Sequence, residues 1–455
     1  MKNIGYSLLV AAAMIGFTGT SFANEKAALD KAYCPALTKE ESYAKWLVNY
    51  KMLVRGKEDW IFRTVVAGKT DFSLGEKSLA LFKTLQEKLK QKGTDLVLVL
   101  PPTAGGAVNS EFLTPEAIAQ YKFDPALAKK NYAAEIEQLK AAGINAVGVT
   151  DFPEGKAFFY RRDHHWNPDG AKASAVKAAE FIKTLPSYAA LPKTEFVTKE
   201  AGKEDYKGAY VKAFMTICKK RPPVEKVTVF KTEQKAGKAG EADLFGDSAG
   251  APIVLVGTSN SAPDPNVANF DGFLKEATSL DVENRAIAGA GVDTALLSYL
   301  NSDDFKTNPA KILVWEIPGY YDLDKVVGPA LAQAIPAVKG DCKGAALGEA
   351  GPLEMGKEET KLIEGLGPKN IAGEKQYIRL EFAKPLKKPF IVEYWSGNRR
   401  SIGKLERVDR YPTQKDAFTQ IIQDGNSRGP VESVVLKTRE DGSGNTVSAR
   451  ICPLD

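Results

Sequence analysis

The segment Pro252-Ile253-Val254-Leu255-Val256-Gly257-Thr258-Ser259 is an apolar run of strand length that ends in a glycine-containing turn. Similar apolar runs occupy residues 95–100, 144–150, 282–287 and 312–317, and amphipathic helical patterns lie between them. Short continuous strands that alternate with helices are typical of a parallel sheet covered by helices on both faces. In such sheets, ligands bind at the carboxyl ends of the strands. The sequence therefore predicts an α/β fold with its functional site at that edge.

The pattern changes from about Gly351 onwards. Short strand-like runs, at residues 377–382, 390–394, 434–436 and 447–451, then alternate with turn residues. This alternation predicts a small β-sandwich. We therefore expect an α/β domain over residues 24–341 and a β-sandwich domain over residues 342–455.

The first 23 residues have the composition of a secretory signal. Lys2 supplies the positive start, Leu8 to Phe17 the apolar run, and Ser21-Phe22-Ala23 a cleavage site of small residues. The run is shorter than the ~20 apolar residues that span a bilayer, and no later segment approaches that length. We therefore expect an exported mature chain without a transmembrane segment. The net charge of +5 does not indicate bulk binding to nucleic acid.

Four cysteines suit an oxidising compartment, in which three pairings are possible. A disulfide between Cys342 and Cys452 would close the C-terminal segment as a module, which leaves Cys34 to pair with Cys218. Because no two cysteines are close in sequence, a cysteine-based metal site is disfavoured. We expect two disulfides, no metal and no cofactor.

The chain has only two histidines, and they are adjacent in Asp163-His164-His165-Trp166. An imidazole base must therefore be His164 or His165. A carboxylate two residues before His165 can fix the tautomer of its ring, although Asp163 could instead be a favourable charge near a helix start. Adjacent side chains on an extended segment point to opposite sides, so we expect one imidazole to face a nucleophile and the pair to bind no metal.

Ser259 is the preferred candidate nucleophile. A serine on the turn at the end of a strand is exposed and can lie near backbone N–H groups that stabilise an oxyanion. Ser248, in a Gly-Asp-Ser sequence, precedes the strand and fits an ordinary turn, and Ser261 is a weaker alternative. Ser259 itself could be a turn or capping serine, so these residues alone leave the choice open.

A resemblance to SGNH-family hydrolases and acyltransferases favours Ser259. The segment Asn284-Arg-Ala-Ile-Ala-Gly289 resembles the family's Asn-rich turn ending in glycine, and residues 163–170 resemble its Asp–His element with one residue fewer between Asp and His. That element precedes the serine strand, so the motif order is circularly permuted. The resemblance implies an SGNH-hydrolase-like (flavodoxin-like) fold, a Ser259–His165–Asp163 triad, and oxyanion donors at the Ser259 and Gly289 N–H groups.

The family's Gly-x-Asn-Asp turn is missing from this chain. The corresponding strand ends in Pro318-Gly319-Tyr320-Tyr321 instead, so Tyr321 is expected as an oxyanion donor only by analogy. Several features resemble the AlgX/AlgJ branch of periplasmic alginate O-acetyltransferases. They are the permuted motif order and the segments Gly257-Thr-Ser-Asn-Ser261, Trp315-Glu-Ile-Pro318 and Gly56-Lys-Glu-Asp-Trp-Ile-Phe62.

This resemblance implies acetyl transfer to hydroxyls of an acidic exopolysaccharide, the mannuronate residues of alginate, through an acetyl-serine. It also implies a periplasmic location and partners in the alginate secretion complex, including a tetratricopeptide-repeat lipoprotein. Two alternatives remain: a carbohydrate acetyl-esterase with the same triad, and a polymer-binding scaffold of the secretion complex whose triad is dormant.

Residues 384–410 contain eight basic and three acidic side chains, and Tyr394 and Trp395 lie among them. Arginines can pair with the carboxylates of an acidic polysaccharide, and rings can stack on its sugars. We therefore expect a carbohydrate-binding module. Its predicted contacts are Lys388, Tyr394, Trp395, Arg399, Arg400 and Lys404, with Trp166 beside the triad. Trp395 could instead lie in the sandwich core, and Trp166 could simply pack the loop.

Overall fold

A computed structural model of the chain describes residues 26–235, 250–263, 267–342, 344–365, 375–412, 415–422 and 430–454. The predicted signal segment and the alternative nucleophile Ser248 lie outside the described residues. Within these ranges, no helix combines the length and apolar character needed to span a membrane.

A five-stranded parallel sheet forms the centre of the α/β domain, with the strand order β4-β3-β9-β7-β8. Two antiparallel hairpins, β1-β2 and β5-β6, flank it. The strands of this part of the chain are β1 (Leu53–Arg55), β2 (Ile61–Arg63), β3 (Asp95–Leu100), β4 (Ala146–Gly148), β5 (Phe196–Tyr206), β6 (Glu225–Gln234), β7 (Ile253–Val256), β8 (Val282–Asn284) and β9 (Ile312–Glu316). The predicted parallel sheet is confirmed.

Helices cover both faces of this sheet. The main ones are α1 (Glu76–Gln91), α2 (Pro125–Ala141), α3 (Pro168–Ile182), α4 (Phe270–Thr278), α5 (Thr294–Asn301) and α6 (Leu323–Lys339). Shorter helical segments are Pro35–Thr38, Glu40–Ser42, Lys45–Tyr50, Thr64–Ala67, Ser110–Phe112, Pro115–Tyr121, Pro186–Ala189, Val211–Ala213, Phe214–Cys218 and Asp303–Thr307.

The side chains of each strand point alternately to the two faces of the sheet, and this divides the apolar core in two. In β3, Leu96 and Leu98 pack with α1, α2, α5 and α6, whereas Val97 and Val99 pack with α3 and α4. Successive side chains of a strand point to opposite faces, so a continuous apolar run serves both cores. This explains why β3, β7 and β9 are buried throughout.

The C-terminal segment forms two antiparallel four-stranded sheets, with the orders β10-β17-β12-β15 and β11-β16-β13-β14. Residues of both sheets share one hydrophobic core, as expected for the predicted sandwich. The strands are β10 (Gly348–Glu354), β11 (Glu359–Ile363), β12 (Gln376–Phe382), β13 (Phe390–Ser396), β14 (Arg399–Leu405), β15 (Ala417–Ile421), β16 (Ser433–Lys437) and β17 (Thr446–Pro453).

The two domains are joined covalently and by packing. One disulfide links Cys342, just after α6, to Cys452 in β17, and the other links Cys34 to Cys218. This is the pairing that the sequence favours. Polar contacts add to the junction: the Tyr377 hydroxyl donates to the Gly340 carbonyl at 2.8 Å, and the Thr419 hydroxyl to the Gln333 carbonyl at 3.1 Å.

Candidate active site

Ser259 lies in the turn that directly follows β7, at the carboxyl edge of the sheet. The turn begins with Gly257, where an added Cβ would lie 2.7 Å from a carboxylate oxygen of Glu316. The turn then tightens, because the Ser261 amide donates to the Thr258 carbonyl at 3.1 Å. The close approach of Glu316 therefore requires glycine at position 257.

Glu316, the last residue of β9, holds this turn in place. Its fully buried carboxylate accepts hydrogen bonds from the Thr258 amide at 2.9 Å and the Thr258 hydroxyl at 3.0 Å. It also accepts from the Asn260 amide group at 3.1 Å and the Ser261 hydroxyl at 3.2 Å. Burial raises the pKa of Glu316, and these four donors oppose that rise. No role for Glu316 follows from the sequence pattern, although its place at the end of a strand was an available signal.

The segment 163–166 reaches the serine turn from the loop before α3. This helix begins at Pro168, and the Asn167 side chain caps it by accepting from the Gly170 amide at 3.0 Å. Trp166 is fully buried, and its indole N–H donates to the Asn260 carbonyl at 2.8 Å. The interpretation of Trp166 as a sugar platform is therefore wrong, because its ring packs the loop against the serine turn.

The structure brings the three predicted triad residues together. His165 Nδ1 lies 2.8 Å from Asp163 Oδ1, and His165 Nε2 lies 2.7 Å from Ser259 Oγ. An ionised Asp163 can only accept, so the ring proton belongs on Nδ1, and Nε2 can accept the serine proton. Asp163, His165 and Ser259 therefore form a continuous chain of hydrogen bonds, in which the serine proton can pass to His165.

Asp163 is buried and surrounded by donors. Its Oδ2 accepts from the Tyr206 hydroxyl at 2.6 Å and the Ala209 amide at 2.7 Å, and Oδ1 also accepts from the amides of both histidines. Burial alone would raise the pKa of Asp163, but the two imidazoles and their hydrogen bonds lower it well below its usual value. Asp163 is thus an ionised partner of His165. Tyr206, on the β5-β6 hairpin, carried no signal in the sequence.

The two histidines differ in their electrostatics. Burial lowers the pKa of His165, yet the negative charge of Asp163 outweighs it and raises the pKa overall. Burial and the neighbouring His165 lower the pKa of His164 to about 4. His164 is therefore neutral near neutral pH, whereas His165 is the more basic ring.

The expectation that the two imidazoles point to opposite sides is wrong. Their ring centroids are 4.1 Å apart, because the chain bends here instead of running extended. His164 packs among the rings of Tyr50, Tyr210 and Tyr320, at centroid distances of 6.4, 6.1 and 5.9 Å. Of the two histidines, His165 is the one that contacts Ser259.

The same cluster is a possible metal-binding group. Ligand atoms of Asp163, His164 and His165 lie within 4.8 Å of one another. However, both oxygens of Asp163 already accept hydrogen bonds, and both nitrogens of His165 are engaged. A metal ion would have to displace these contacts, so the donor arrangement fits a proton path better than a metal site.

Two further segments border the site, and both carry predicted oxyanion donors. The strand β8 continues beside the serine turn: the Ile287 amide donates to the Gly257 carbonyl at 3.1 Å, and Gly289 follows with a φ of 69°. The turn containing Tyr321 is held by Lys69 Nζ, which donates to the Gly319 carbonyl at 2.8 Å. These placements leave the roles of Gly289 and Tyr321 as predictions.

A cavity of about 550 Å³ opens beside the triad. Its lining includes Tyr50, Asp163 and His165, together with residues 204–209 and a set that follows them: Val211, Lys212, Val227 and Val267. Lys207 and Lys212 contribute positive charge to this lining, and Glu204 and Asp205 contribute negative charge. The cavity provides space for a substrate group next to His165.

The predicted polymer-binding residues of the β-domain separate into an exposed and a buried set. Tyr394 is 1% exposed, and its hydroxyl donates to Gln420 at 3.2 Å, so the prediction of a sugar contact there is wrong. Its position on β13 turns it into the sandwich core, since alternate residues face opposite ways.

Trp395, Arg400 and Lys404 share the outer face of the β13-β14 hairpin. Trp395 pairs with Arg400 in the ladder, Lys404 lies four residues further along the same face, and the Arg400 guanidinium lies 5.8 Å from the Trp395 ring centroid. Arg399 is exposed at the hairpin end and points the other way. Lys388 is exposed in the loop before β13. The hairpin thus presents one basic and aromatic face.

Glu393 lies within this outer face and neutralises part of its charge. It is 3% exposed and accepts from Arg400 Nη1 at 2.6 Å and from the Trp395 indole N–H at 3.1 Å. These two bonds orient the ring and the guanidinium side by side. Glu393, one of the three acidic residues in the stretch 384–410, therefore positions the basic side chain and the ring of this face.

Comparisons with known proteins agree with this fold. Residues 53–319 match the family described as the SGNH hydrolase-like domain of acetyltransferase AlgX. The alginate biosynthesis protein AlgX of Pseudomonas aeruginosa is 38% identical over 335 residues, which are 72% of this chain and 69% of that protein. The probable alginate O-acetylase AlgJ of Pseudomonas fluorescens is 34% identical over 284 residues, 59% of this chain and 68% of that protein.

The solved structure of Pseudomonas aeruginosa AlgX superposes with a TM-score of 0.79 at 30% identity, and the match covers 93% of this chain and 99% of that one. It therefore extends over both the α/β domain and the β-sandwich. The chain belongs to the AlgX family of SGNH hydrolase-like acetyltransferases.

Proposed function

We propose that this chain is a periplasmic O-acetyltransferase that transfers acetyl groups to hydroxyls of mannuronate residues in alginate. The observation that carries the proposal is the pair of contacts of His165, 2.8 Å to Asp163 and 2.7 Å to Ser259. The names of the relatives, alginate biosynthesis protein and probable alginate O-acetylase, supply the substrate class.

In the first step, Ser259 Oγ attacks the carbonyl carbon of an acetyl donor while His165 Nε2 takes the serine proton. The tetrahedral intermediate collapses to acetyl-serine, and the leaving group receives that proton from His165. Asp163 holds the Nδ1 proton and stabilises the transient imidazolium. The Ser259 and Gly289 N–H groups, with Tyr321 by analogy, are proposed as donors to the oxyanion.

In the second step, a mannuronate hydroxyl attacks the acetyl-serine. His165 removes the hydroxyl proton and returns it to Ser259 as the serine leaves. Transfer instead of hydrolysis requires that a sugar hydroxyl be held where water would otherwise react. The cavity lined by Tyr50 and residues 204–209 is the proposed acceptor site, because His165 belongs to its lining.

The outer face of the β13-β14 hairpin is the proposed polymer contact. Arg400 and Lys404 can pair with uronate carboxylates, and the half-buried Trp395 ring can stack on a sugar face. Arg399 and Lys388 extend the positive charge beyond this face. Export by the N-terminal segment, and assembly with secretion proteins including a tetratricopeptide-repeat lipoprotein, belong to the same proposal.

The test combines a chromogenic acetyl ester with mannuronate oligomers. Acetylated oligomer, detected by mass spectrometry, supports transfer; released acetate that is insensitive to the oligomer supports the esterase alternative. We expect Ser259→Ala and His165→Ala each to abolish transfer, and Ser443→Ala, which changes an exposed serine of the β-domain, to leave it intact. Transfer by Ser259→Ala at the wild-type rate would refute the proposal, and an inert wild-type chain that binds polymer would favour the scaffold.

A further inference from the structure

The β-domain reaches the predicted oxyanion turn through one side chain. Arg410 lies between β14 and β15, and its Nη1 donates a hydrogen bond to the carbonyl oxygen of Ala288 in the α/β domain. Ala288 directly precedes Gly289 in the turn after β8. The contact thus joins the β-domain to the edge of the site.

The segment that carries Arg410 is anchored on both sides. Arg407 donates to the Gln333 side chain at 2.9 Å and the Ala417 carbonyl at 3.1 Å. Tyr411 is 2% exposed, and Asn301 of α5 donates to its hydroxyl at 3.4 Å. The Arg407 guanidinium also lies 4.7 Å from the Tyr411 ring centroid. Because Arg407 and Tyr411 are held in this way, the backbone of Arg410 has a defined position relative to Ala288.

The peptide that Arg410 contacts is the one that carries the Gly289 N–H. In a trans peptide the C=O and N–H bonds point in opposite directions, so a donor on the Ala288 oxygen directs the Gly289 N–H the other way. In the parallel pairing of β7 with β8, Leu255 lies beside Asn284. Beyond the ends of these strands, the Ile287 amide donates a hydrogen bond to the Gly257 carbonyl. These contacts hold the segment that leads to Gly289 against the start of the turn that carries Ser259.

Glycine makes this peptide easy to rotate, since Gly289 has a φ of 69° and glycine adopts both signs of φ at little cost. The turn therefore needs an external contact to select one orientation. An added Cβ at Gly289 would also lie 2.6 Å from Arg410 Nη1, so the guanidinium can approach only because residue 289 is glycine.

We infer that Arg410 is a positioning residue, which fixes the orientation of the Ala288–Gly289 peptide and keeps the Gly289 N–H available to the oxyanion. The inference rests on the proposed function. It makes the β-domain part of the catalytic apparatus in addition to its proposed role in polymer binding.

The test uses the full chain and steady-state hydrolysis of a chromogenic acetyl ester, which needs no polymer. Arg410→Met keeps most of the side-chain volume and removes the donor, whereas Arg410→Lys keeps a cationic donor. Loss of one oxyanion-hole donor costs about 100-fold to 1000-fold in kcat. We expect Arg410→Met to lose about tenfold to a hundredfold in kcat with little change in KM, because the peptide orientation that offers the Gly289 N–H then falls to a minor population. Arg410→Lys should recover part of that loss.

Arg439→Ala serves as the matched control, since Arg439 is exposed on the same domain. Melting temperatures of all variants separate a kinetic effect from unfolding. Wild-type kcat in a folded Arg410→Met chain would overturn the inference, as would equal losses in the Met and Lys variants. Ser259→Ala separates failure of the proposed function from failure of the inference about Arg410. If Ser259→Ala remains active, the proposed function fails. If it is inert while Arg410→Met is fully active, only the role of Arg410 fails.

Discussion

The indole N–H of Trp166 donates to the carbonyl of Asn260 at 2.8 Å, so the residue after the catalytic-base candidate is bonded to the residue after the candidate nucleophile. These two residues lie 94 positions apart in the chain. Because both residues are buried, this bond fixes the distance between the neighbouring residues His165 and Ser259 without involving the reacting atoms. The separation of the two chemical groups is therefore set by packing that solvent does not reach.

Trp166→Phe should weaken catalysis without weakening polymer binding. The substitution leaves the buried Asn260 carbonyl without its donor, which costs about 1–3 kcal/mol of stability. We expect a lower kcat for ester turnover and an unchanged affinity for mannuronate oligomers, measured by calorimetry. An affinity loss at unchanged kcat would instead support the sugar-platform interpretation that the burial of Trp166 contradicts.

Glu316→Gln should loosen the turn that carries Ser259. Glu316 accepts from four donors of Thr258, Asn260 and Ser261, and an amide presents an N–H group where at least one of those donors now points. We expect a loss of about 1–3 kcal/mol in the free energy of unfolding, together with reduced kcat. Urea denaturation and ester kinetics on the same preparation check both effects. Stability and kcat equal to those of the wild type would contradict this role of Glu316.

The pH dependence of turnover should report the raised pKa of His165. The base must be neutral to accept the serine proton, and the charge of Asp163 holds its pKa above the ordinary 6.5. We therefore expect kcat/KM to rise with pH through a midpoint above 6.5. In Asp163→Asn the midpoint should fall, because the stabilising charge is lost while burial remains, and kcat should drop. An unshifted midpoint would show that another group titrates.

The raised pKa of His165 also makes the stability of the fold depend on pH. A histidine whose pKa is higher in the folded state stabilises the fold fully below its unfolded pKa, and this contribution disappears as the pH rises through the folded pKa. Asp163, whose pKa is depressed, has the opposite dependence: its contribution is lost as the pH falls through the acidic range. Unfolding curves of wild type and His165→Ala across this range should differ most at mildly acidic pH. A pH-independent difference would argue against the assigned shift.

Polymer affinity should depend on the outer face of the β13-β14 hairpin. We expect Trp395→Ala and Arg400→Ala each to weaken binding of mannuronate oligomers, and the Arg400 effect to shrink at high salt because exposed charges are screened. Tyr394→Phe is the matched control, since Tyr394 is buried in the sandwich core. Titration calorimetry at two ionic strengths provides the measurement. Wild-type affinity in Arg400→Ala at low salt would place the polymer site elsewhere.

Much of the fold was predictable from local pattern. The apolar runs at residues 95–100, 253–256 and 312–316 became the buried central strands, because a strand covered on both faces must be apolar throughout. The start of α3 likewise has a local cause, because Asn167 and Pro168 are residue types that favour the cap and the first position of a helix. Such features depend on neighbours within a few residues.

Side-chain direction was harder to predict. Trp166, Tyr394 and Trp395 are all aromatic residues next to basic or catalytic groups, yet two are buried and one reaches the surface. The direction of Tyr394 depends on the register of β13, and that of Trp166 on a bend in the chain. A one-residue change of register would exchange buried and exposed positions, so composition alone cannot decide between them.

The sequence by itself determined the chemistry available: two adjacent histidines, an acid beside them, and a serine at a strand end. Folding decided which groups meet, because contacts such as Tyr206 to Asp163 or Arg410 to Ala288 join elements far apart in the chain. Distant partners leave no periodic trace in sequence. Their selection depends on how helices and sheets pack against one another.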